Sequence, residues 1–363
     1  MMPSIVFTGG GTAGHVAPNI ALIQEFRHKG WDIAYVGSAE GIEQEMIKPL
    51  DIPFYSVKSG KLRRYLSVKN LLDPFKIILG IFQAFLLLAR LKPDVVFSKG
   101  GFVAFPVVVG AWLNRIPVVA HESDMSPGLA NRLCFPFVNK ICLTFDAGKK
   151  HFKSQEKIEV TGTPIREQLF SGNSAAGLAL CGFNMEKPCL LAIGGSLGAG
   201  SINRSIREAL PQLTQDYQVI HLCGKGKMDA SLMDVAGYKQ FEYANEELAD
   251  LFAAASVVVS RAGANSLCEL LALGKPHILI PLSAQVSRGD QIQNAKYFQG
   301  LGISFVIDDN SLNAASLVQA LCDLEKNKDE ILNKIKALKI KSATEQIVVI
   351  IEEQIHVQSP SAV

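Results

Sequence analysis

Apolar residues along this chain fall into short runs, separated by longer stretches in which they recur every three or four positions. The runs predict strands at about Ser4–Thr8, Asp32–Gly37, Phe54–Val57, Val95–Phe97, Val118–His121 and Lys140–Leu143. A second series is expected at about Leu190–Ile193, Gln218–Leu222, Val257–Ser260, Ile278–Pro281 and Ser304–Ile307. The stretches between them predict helices, among them Ala17–His28, Phe75–Leu91, Ala199–Leu210, Ala264–Leu273 and Asp290–Gln299. Alternation of this kind calls for parallel sheets with helices on both faces.

The two series are comparable. Each opens with an apolar strand that runs into glycines and then a helix: SIVFTGGGTAGHV, and later CLLAIGGSLGAGSINRSI. At 363 residues the chain exceeds the usual size of one core, so two domains are expected. Gly162-Thr163-Pro164 ends the first half, because proline disfavours helix in the residue before it. The expected division is 1–163, 164–342 and a last segment, 343–357, with the hinge between Thr163 and about Gly172. The last helix, about Thr344–His356, is expected to pack back on the first half.

Composition narrows the class. Hydrophobic residues make up 48% and charged residues 19%, which describes a well-buried globular protein. A net charge of +2 does not suggest a nucleic-acid partner. The 7 cysteines form no CxxC pair, so reduced thiols are expected in place of a disulfide framework or zinc site. The first strand opens with no basic stretch ahead of an apolar signal region, which points to a protein that stays in the cytosol.

Gly9 to Gly14 satisfies GxGxxG directly after a predicted strand, a turn whose backbone N–H groups can approach phosphate. A dinucleotide site also wants an acid closing the second strand. That strand ends in Gly37-Ser38, with Glu40 late, which argues against a nicotinamide cofactor. His15, expected at the first residue of the helix, is either a local cap or a general base, since its ordinary pKa of about 6.5 suits that work. Gly194 to Ala199 is the second turn, with Ser196 beside backbone donors suited to a diphosphate.

The third element runs Ser260 to Glu269 between a strand and a helix. Glu269 is either a solvated helix charge or the acceptor of both ribose hydroxyls. Beyond it Asp290 and Gln291 stand at a helix start, where they cap the helix or meet sugar hydroxyls. No Asp-x-Asp follows any predicted strand, so no metal site is expected and a leaving diphosphate would be met by helix N-termini, hydroxyls and arginine. Arg166 is a candidate for that work, or a surface ion pair.

The segment Leu71–Leu91 is strongly apolar, but Lys76 and Arg90 leave 13 residues between them, short of the roughly 20 that span a bilayer. Lys58, Lys61, Arg63, Arg64 and Lys69 precede it. The segment 58–91 is either a core helix with a solvated basic flank or a dock for an anionic membrane surface.

Taken together, GGGTAGHVAPN, DVVFSKGGFVAFP, PVVAHESDMSPGLAN, VTGTPIRE, IGGSLGAGSIN, SRAGANSLCELLALGKP and SRGDQIQNA resemble the MurG family. These are the lipid-linked peptidoglycan N-acetylglucosaminyltransferases of the GT-B class, and the resemblance covers nearly the whole chain. It implies two Rossmann-like doubly wound α/β domains facing a cleft, the first meeting acceptor and membrane and the second holding the UDP-sugar. The implied reaction is inverting, uses neither cofactor nor metal, and moves N-acetylglucosamine from UDP-N-acetylglucosamine to the muramyl 4-hydroxyl of lipid I. The product is lipid II, formed at the cytoplasmic face of the bacterial inner membrane.

By that resemblance Ser196 and Arg166 serve the donor diphosphate or sugar, and Ala264, Asn265, Ser266, Leu267, Cys268 and Glu269 form the uridine-ribose segment. Gln291 faces the sugar, Thr12, Ala13 and Gly14 close over it, and His15 assists deprotonation of the acceptor hydroxyl. Departures are Ala13 for a glycine, His121-Glu122-Ser123-Asp124 for HEQN, Asp290 for a second glutamine and Phe102 for tyrosine. Asp124 is therefore either an alternative base or a charge that repels a misplaced diphosphate. A UDP-N-acetylglucosamine 2-epimerase, a diacylglycerol glycosyltransferase and a non-catalytic nucleotide-sugar-binding protein are the rival readings.

Overall fold

The computed structural model describes residues 2–60, 68–195 and 198–356, and of these not the side chains of 68–72 and 356. The chain folds as two compact units, Met1–Arg166 with Ser342–Val363, and Glu167–Lys341.

In the first unit, strands β1 (Ser4–Thr8), β2 (Asp32–Gly37), β3 (Phe54–Ser56), β4 (Val95–Ser98), β5 (Val118–Glu122), β6 (Lys140–Leu143) and β7 (Ile158–Val160) form one sheet. Its order is β3-β2-β1-β4-β5-β6-β7 and every pairing is parallel. Side chains alternate across a strand, so Val6, Val36 and Val96 pack on one face with Ala84, Leu88, Val107 and Val108. Ile5, Phe7, Tyr35 and Phe97 pack on the other face with Leu22, Ile23 and Phe26. Burial of both faces is why these strands read as unbroken apolar runs. Ile347, Val348 and Ile351 of helix Thr344–His356 join the second layer, so the chain's last helix completes the core that its first strand begins.

The apolar helix is longer than its sequence pattern suggests. It runs Val68–Leu91, continuing N-terminally across Pro74. The stretch Asp73–Leu91 is long and apolar enough to cross a membrane by length and composition, contrary to the shorter span read between its charges. One face is internal. A Cβ on Gly80 would lie 1.9 Å from the Lys58 carbonyl oxygen, and one on Gly110 would lie 2.9 Å from the Ala84 Cβ. Glycine therefore lets a loop and the helix Ala104–Leu113 lie directly against it.

In the second unit, β8 (Cys189–Ile193), β9 (Gln218–Leu222), β10 (Tyr238–Phe241), β11 (Ala255–Ser260), β12 (His277–Leu279) and β13 (Phe305–Val306) form a parallel sheet. The order is β10-β9-β8-β11-β12-β13. Strand order reverses between β1 and β4 in one sheet and between β8 and β11 in the other. The crevice outside the carboxyl ends at such a point is where open α/β sheets bind ligands, and all four following turns carry glycine.

Candidate active-site elements of the two units

In the first unit β1 runs through Gly9–Thr12 into a 3-10 turn, Ala13–His15, and only then into helix Ala17–His28. His15 thus belongs to a separate turn and not to the helix start expected for it. Its Nδ1 lies 3.0 Å from the Gly10 carbonyl oxygen and 3.1 Å from Thr12 Oγ1. A carbonyl only accepts, so in neutral His15 Nδ1 carries the proton and Nε2 is the proton-accepting nitrogen. Thr12 stands exposed at the start of the turn, with Ala13 and Gly14 half-buried in it.

Glu43 is fully buried, and its carboxylate accepts from Gly11 N–H at 3.1 Å, Ser38 N–H at 2.9 Å and Ser38 Oγ at 2.6 Å. A Cβ on Gly10 would lie 2.4 Å from its Cδ, and one on Gly41 2.2 Å, so the glycines make room for this carboxylate. The Gly11 amide, expected to be open to a phosphate, is thereby occupied by an anion of the protein itself. Tyr35 Oη donates to the Gly9 carbonyl at 2.8 Å and accepts from Asn19 Nδ2 at 3.0 Å. Burial, with the Glu43 charge adding to it, pushes the Tyr35 phenol above its ordinary range.

The turn after β4 interlocks with the first. Gly10 N–H donates to the Gly100 carbonyl at 3.2 Å, and a Cβ on Gly101 would lie 2.2 Å from the Gly10 oxygen. Lys99 is buried, and its ammonium donates to His121 Nδ1 at 2.8 Å and to Ser123 Oγ. His121 Nε2–H donates to the Gly162 carbonyl at 2.8 Å. Burial and then the Lys99 charge hold this imidazole well below its ordinary pKa, so it is neutral and ties β4 and β5 to the segment after β7. Buried Glu122 accepts from Asp124 N–H at 3.0 Å, Gly128 N–H at 3.0 Å and Asn131 Nδ2 at 2.9 Å. It thereby shapes the loop on which half-buried Asp124 sits. The β4 turn separates the strands that lead to His15 and Asp124.

In the second unit Ser196 lies outside the described residues. A Cβ on Gly198 (φ 66°) would lie 2.0 Å from the Cys223 carbonyl oxygen, so the loop after β9 lies against this turn. Helix Ala264–Ala272 buries Ala264, Leu267 and Cys268, which leaves these three only backbone to offer a ligand. Asn265, Ser266 and Glu269 are half-buried, and Asn265 and Glu269 share a face one turn apart. Gln291 Oε1 accepts from Leu282 N–H at 3.1 Å, so its amide N–H groups are what it can offer a sugar. Asp290 pairs with Arg288 Nε at 3.3 Å, which offsets the charge that replaces an amide there. Arg166 is half-buried at the end of the first unit.

Three residues escaped the sequence reading: Glu43, Lys99 and Arg261. Lys99 and Arg261 stand inside DVVFSKGGFVAFP and SRAGANSLCELLALGKP, directly after β4 and β11, the place where a charged side chain meets the switch point. Glu43 had a weaker signal, an acid shortly after Gly37 and Gly41.

Two Rossmann-like parallel sheets, each with a glycine turn at its switch point, have the architecture of the GT-B glycosyltransferases. The chain belongs to glycosyltransferase family 28: the family's N-terminal domain matches residues 5–143 and its C-terminal domain residues 189–350. A UDP-N-acetylglucosamine--N-acetylmuramyl-(pentapeptide) pyrophosphoryl-undecaprenol N-acetylglucosamine transferase of Legionella pneumophila (strain Lens) is 77% identical over 363 residues, 100% of both chains. A protein of the same name from Clostridium perfringens (strain ATCC 13124) is 51% identical, over 97% of this chain and 98% of that one. The crystal structure of Acinetobacter baumannii MurG matches with a TM-score of 0.76 at 25% identity, covering 97% of this chain and 99% of that one.

Proposed function

We propose that this chain transfers N-acetylglucosamine from UDP-N-acetylglucosamine to the muramyl 4-hydroxyl of lipid I, with inversion and without a metal, forming lipid II at the cytoplasmic face of the inner membrane. The observation that carries the reading is His15, whose Nδ1–H is committed to the Gly10 carbonyl, on a chain whose full-length relatives are named for this transfer. Nε2 is then set to take the acceptor proton as the hydroxyl oxygen bonds to the anomeric carbon and UDP departs. One displacement inverts that carbon. Asp124 is the alternative base. In this reading Arg166, Ser196 and backbone N–H groups stabilise the leaving diphosphate.

In this reading the second unit holds the donor, with Glu269 on the ribose and the Gln291 amide on the sugar. Thr12, Ala13 and Gly14 close over the sugar, and the first unit takes the acceptor. Exposed Phe75, Ile78, Leu79, Phe82 and Leu86 recur every three or four residues along the helix Val68–Leu91, while Ala84 and Leu88 on its other side are buried. A helix packed on one side and apolar on the other supports lying on the membrane in preference to crossing it. The basic residues Lys61, Arg63 and Arg64 lie outside the described residues, and of Lys69 only the backbone is described.

The test is transfer of labelled N-acetylglucosamine from UDP-N-acetylglucosamine to a lipid I analogue in EDTA. Folded protein that binds the donor and transfers nothing refutes the reading in favour of a binding protein. Release of UDP with epimerised sugar and no acceptor favours an epimerase.

A further inference from the structure

We propose that Glu43 is a positioning residue for the reaction, acting on His15 through the peptide group that joins Gly10 to Gly11. The carbonyl of that peptide accepts His15 Nδ1–H at 3.0 Å, and the N–H of the same peptide donates to Glu43 Oε2 at 3.1 Å. A trans peptide points these two groups in opposite directions, so one planar unit faces the imidazole on one side and the carboxylate on the other. An anion at the N–H end polarises the amide and makes its oxygen a stronger acceptor, as chained hydrogen bonds strengthen one another. The arrangement does through a peptide what a carboxylate bonded directly to histidine does in a hydrolase triad: it fixes the tautomer and favours the imidazolium. The proposal rests on the reading of His15 as the base.

Burial is what gives this geometry force. Glu43 is fully buried and accepts three hydrogen bonds, which keep the carboxylate in place against Gly10 and Gly11. Its charge is felt nearby, since it helps to push up the buried Tyr35 phenol. Around the turn, α-helix Ile42–Ile47 contributes Glu43 and β2 contributes Tyr35, while Lys99 sets its Cβ against Gly9 and directs its ammonium to His121 and Ser123. Helix Ala17–His28 contributes the neutral Asn19, bonded to Tyr35 and to the Thr8 carbonyl. The Lys99 charge is spent on His121 and Ser123, and the Glu43 carboxylate favours the imidazolium. When His15 Nε2 takes the hydroxyl proton, the O–H bond breaks, the N–H bond forms, and the positive ring is held against a carbonyl already polarised towards it.

Glu43→Gln keeps the volume and removes the charge, leaving one amide oxygen for the two backbone N–H groups, of Gly11 and Ser38, that the carboxylate accepts. The acid limb of the kcat/KM profile is expected to move to lower pH by about half a unit, since a nearby anion is lost, and the plateau to fall about tenfold. The ring resonances of His15, assigned by their loss in His15→Gln, should titrate with a midpoint moved in the same direction. A ring midpoint unchanged in folded Glu43→Gln overturns the relay. A ring midpoint that moves while the kinetic limb stays keeps the relay and removes His15 as the base. Should Glu43→Gln not fold, the wild-type Gly11 amide resonance decides: it is expected to titrate with the His15 midpoint, and a flat response overturns the proposal.

Discussion

Arg261 Nη1 donates to Asp309 Oδ1 at 2.7 Å, joining the end of β11 to the segment beyond β13 with side chains only 11% and 16% exposed. The same guanidinium reaches the Ile280 carbonyl at 3.0 Å and Ser201 Oγ at 2.9 Å, and Ser201 donates back to Asp309 at 2.5 Å. Removing one partner strands a charge in a nearly dry place, whereas removing both does not. Asp309→Ala is therefore expected to lower the unfolding free energy by about 3 kcal/mol, and Arg261→Met with Asp309→Leu to recover most of it. Urea unfolding followed by circular dichroism reads both. Equal losses in the single and double variants would show that the pair is not the source.

Stability should also fall in mild acid, for a reason visible at His277. This buried imidazole donates Nδ1–H to the Lys275 carbonyl at 2.8 Å and, when neutral, accepts at Nε2 from Ser304 Oγ at 2.6 Å. Burial brings its pKa down to about 4, against the Lys275 carbonyl, which favours charge. His221 is brought down to about 3 by burial and then by the Arg207 guanidinium. A folded pKa below the unfolded one means that the unfolded chain binds more protons. The stabilisation is therefore complete above about pH 6.5 and is lost as pH falls towards the folded values. At pH 5 each ring is expected to cost roughly 2 kcal/mol relative to pH 8. His277→Gln should flatten part of this slope, and an unchanged slope in a folded variant contradicts the assignment.

How much of this was legible in the sequence depended on whether a feature was local. The strands Ser4–Thr8, Asp32–Gly37, Lys140–Leu143 and Gln218–Leu222 occur as expected, because each is buried on both faces and its apolar run has clear ends. The strands Ile158–Val160 and Tyr238–Phe241 were not foreseen. They are edge strands, and Tyr-Lys-Gln-Phe carries two polar residues, so the run is weak. Proline misled twice in the same way: the helices Val68–Leu91 and Gly200–Asp216 continue across Pro74 and Pro211, where the expected helices began and ended. Glu43 was illegible because its partner Gly11 lies 32 residues away on another strand's turn, and only the β1–β2 pairing brings them together.

Donor recognition by Glu269 is testable by affinity alone. Glu269 sits half-buried, one turn after Asn265 on a helix whose other side, Ala264, Leu267 and Cys268, is core. A carboxylate accepting both ribose hydroxyls makes two charge-assisted bonds, together worth about 2 to 3 kcal/mol. Glu269→Ala is expected to weaken UDP binding by about 30- to 160-fold at unchanged thermal stability. Calorimetry with UDP and with 2′-deoxy-UDP checks it: the wild type should discriminate the two and the variant should not. Wild-type affinity in the variant removes Glu269 from the ribose.

The exposed stripe of the helix Val68–Leu91 makes the last prediction, which separates membrane docking from catalysis. Phe75 is 71%, Ile78 65% and Phe82 58% exposed, and none of the three is needed to hold the helix, whose packing runs through Gly80, Ala84 and Leu88. Burying one such side chain in a lipid interface is worth about 1.5 to 3 kcal/mol, so exchanging two for a charge should weaken vesicle binding by at least about 100-fold. Ile78→Asp with Phe82→Asp is therefore expected to stay folded, to lose sedimentation with vesicles rich in anionic lipid, and to keep its rate on a short-chain soluble acceptor. Activity on the acceptor embedded in vesicles should drop with the binding. The opposite pattern, full vesicle binding with a lost soluble rate, would make the stripe part of the acceptor site and not the dock. A double variant that unfolds would instead mean that the stripe packs against the protein.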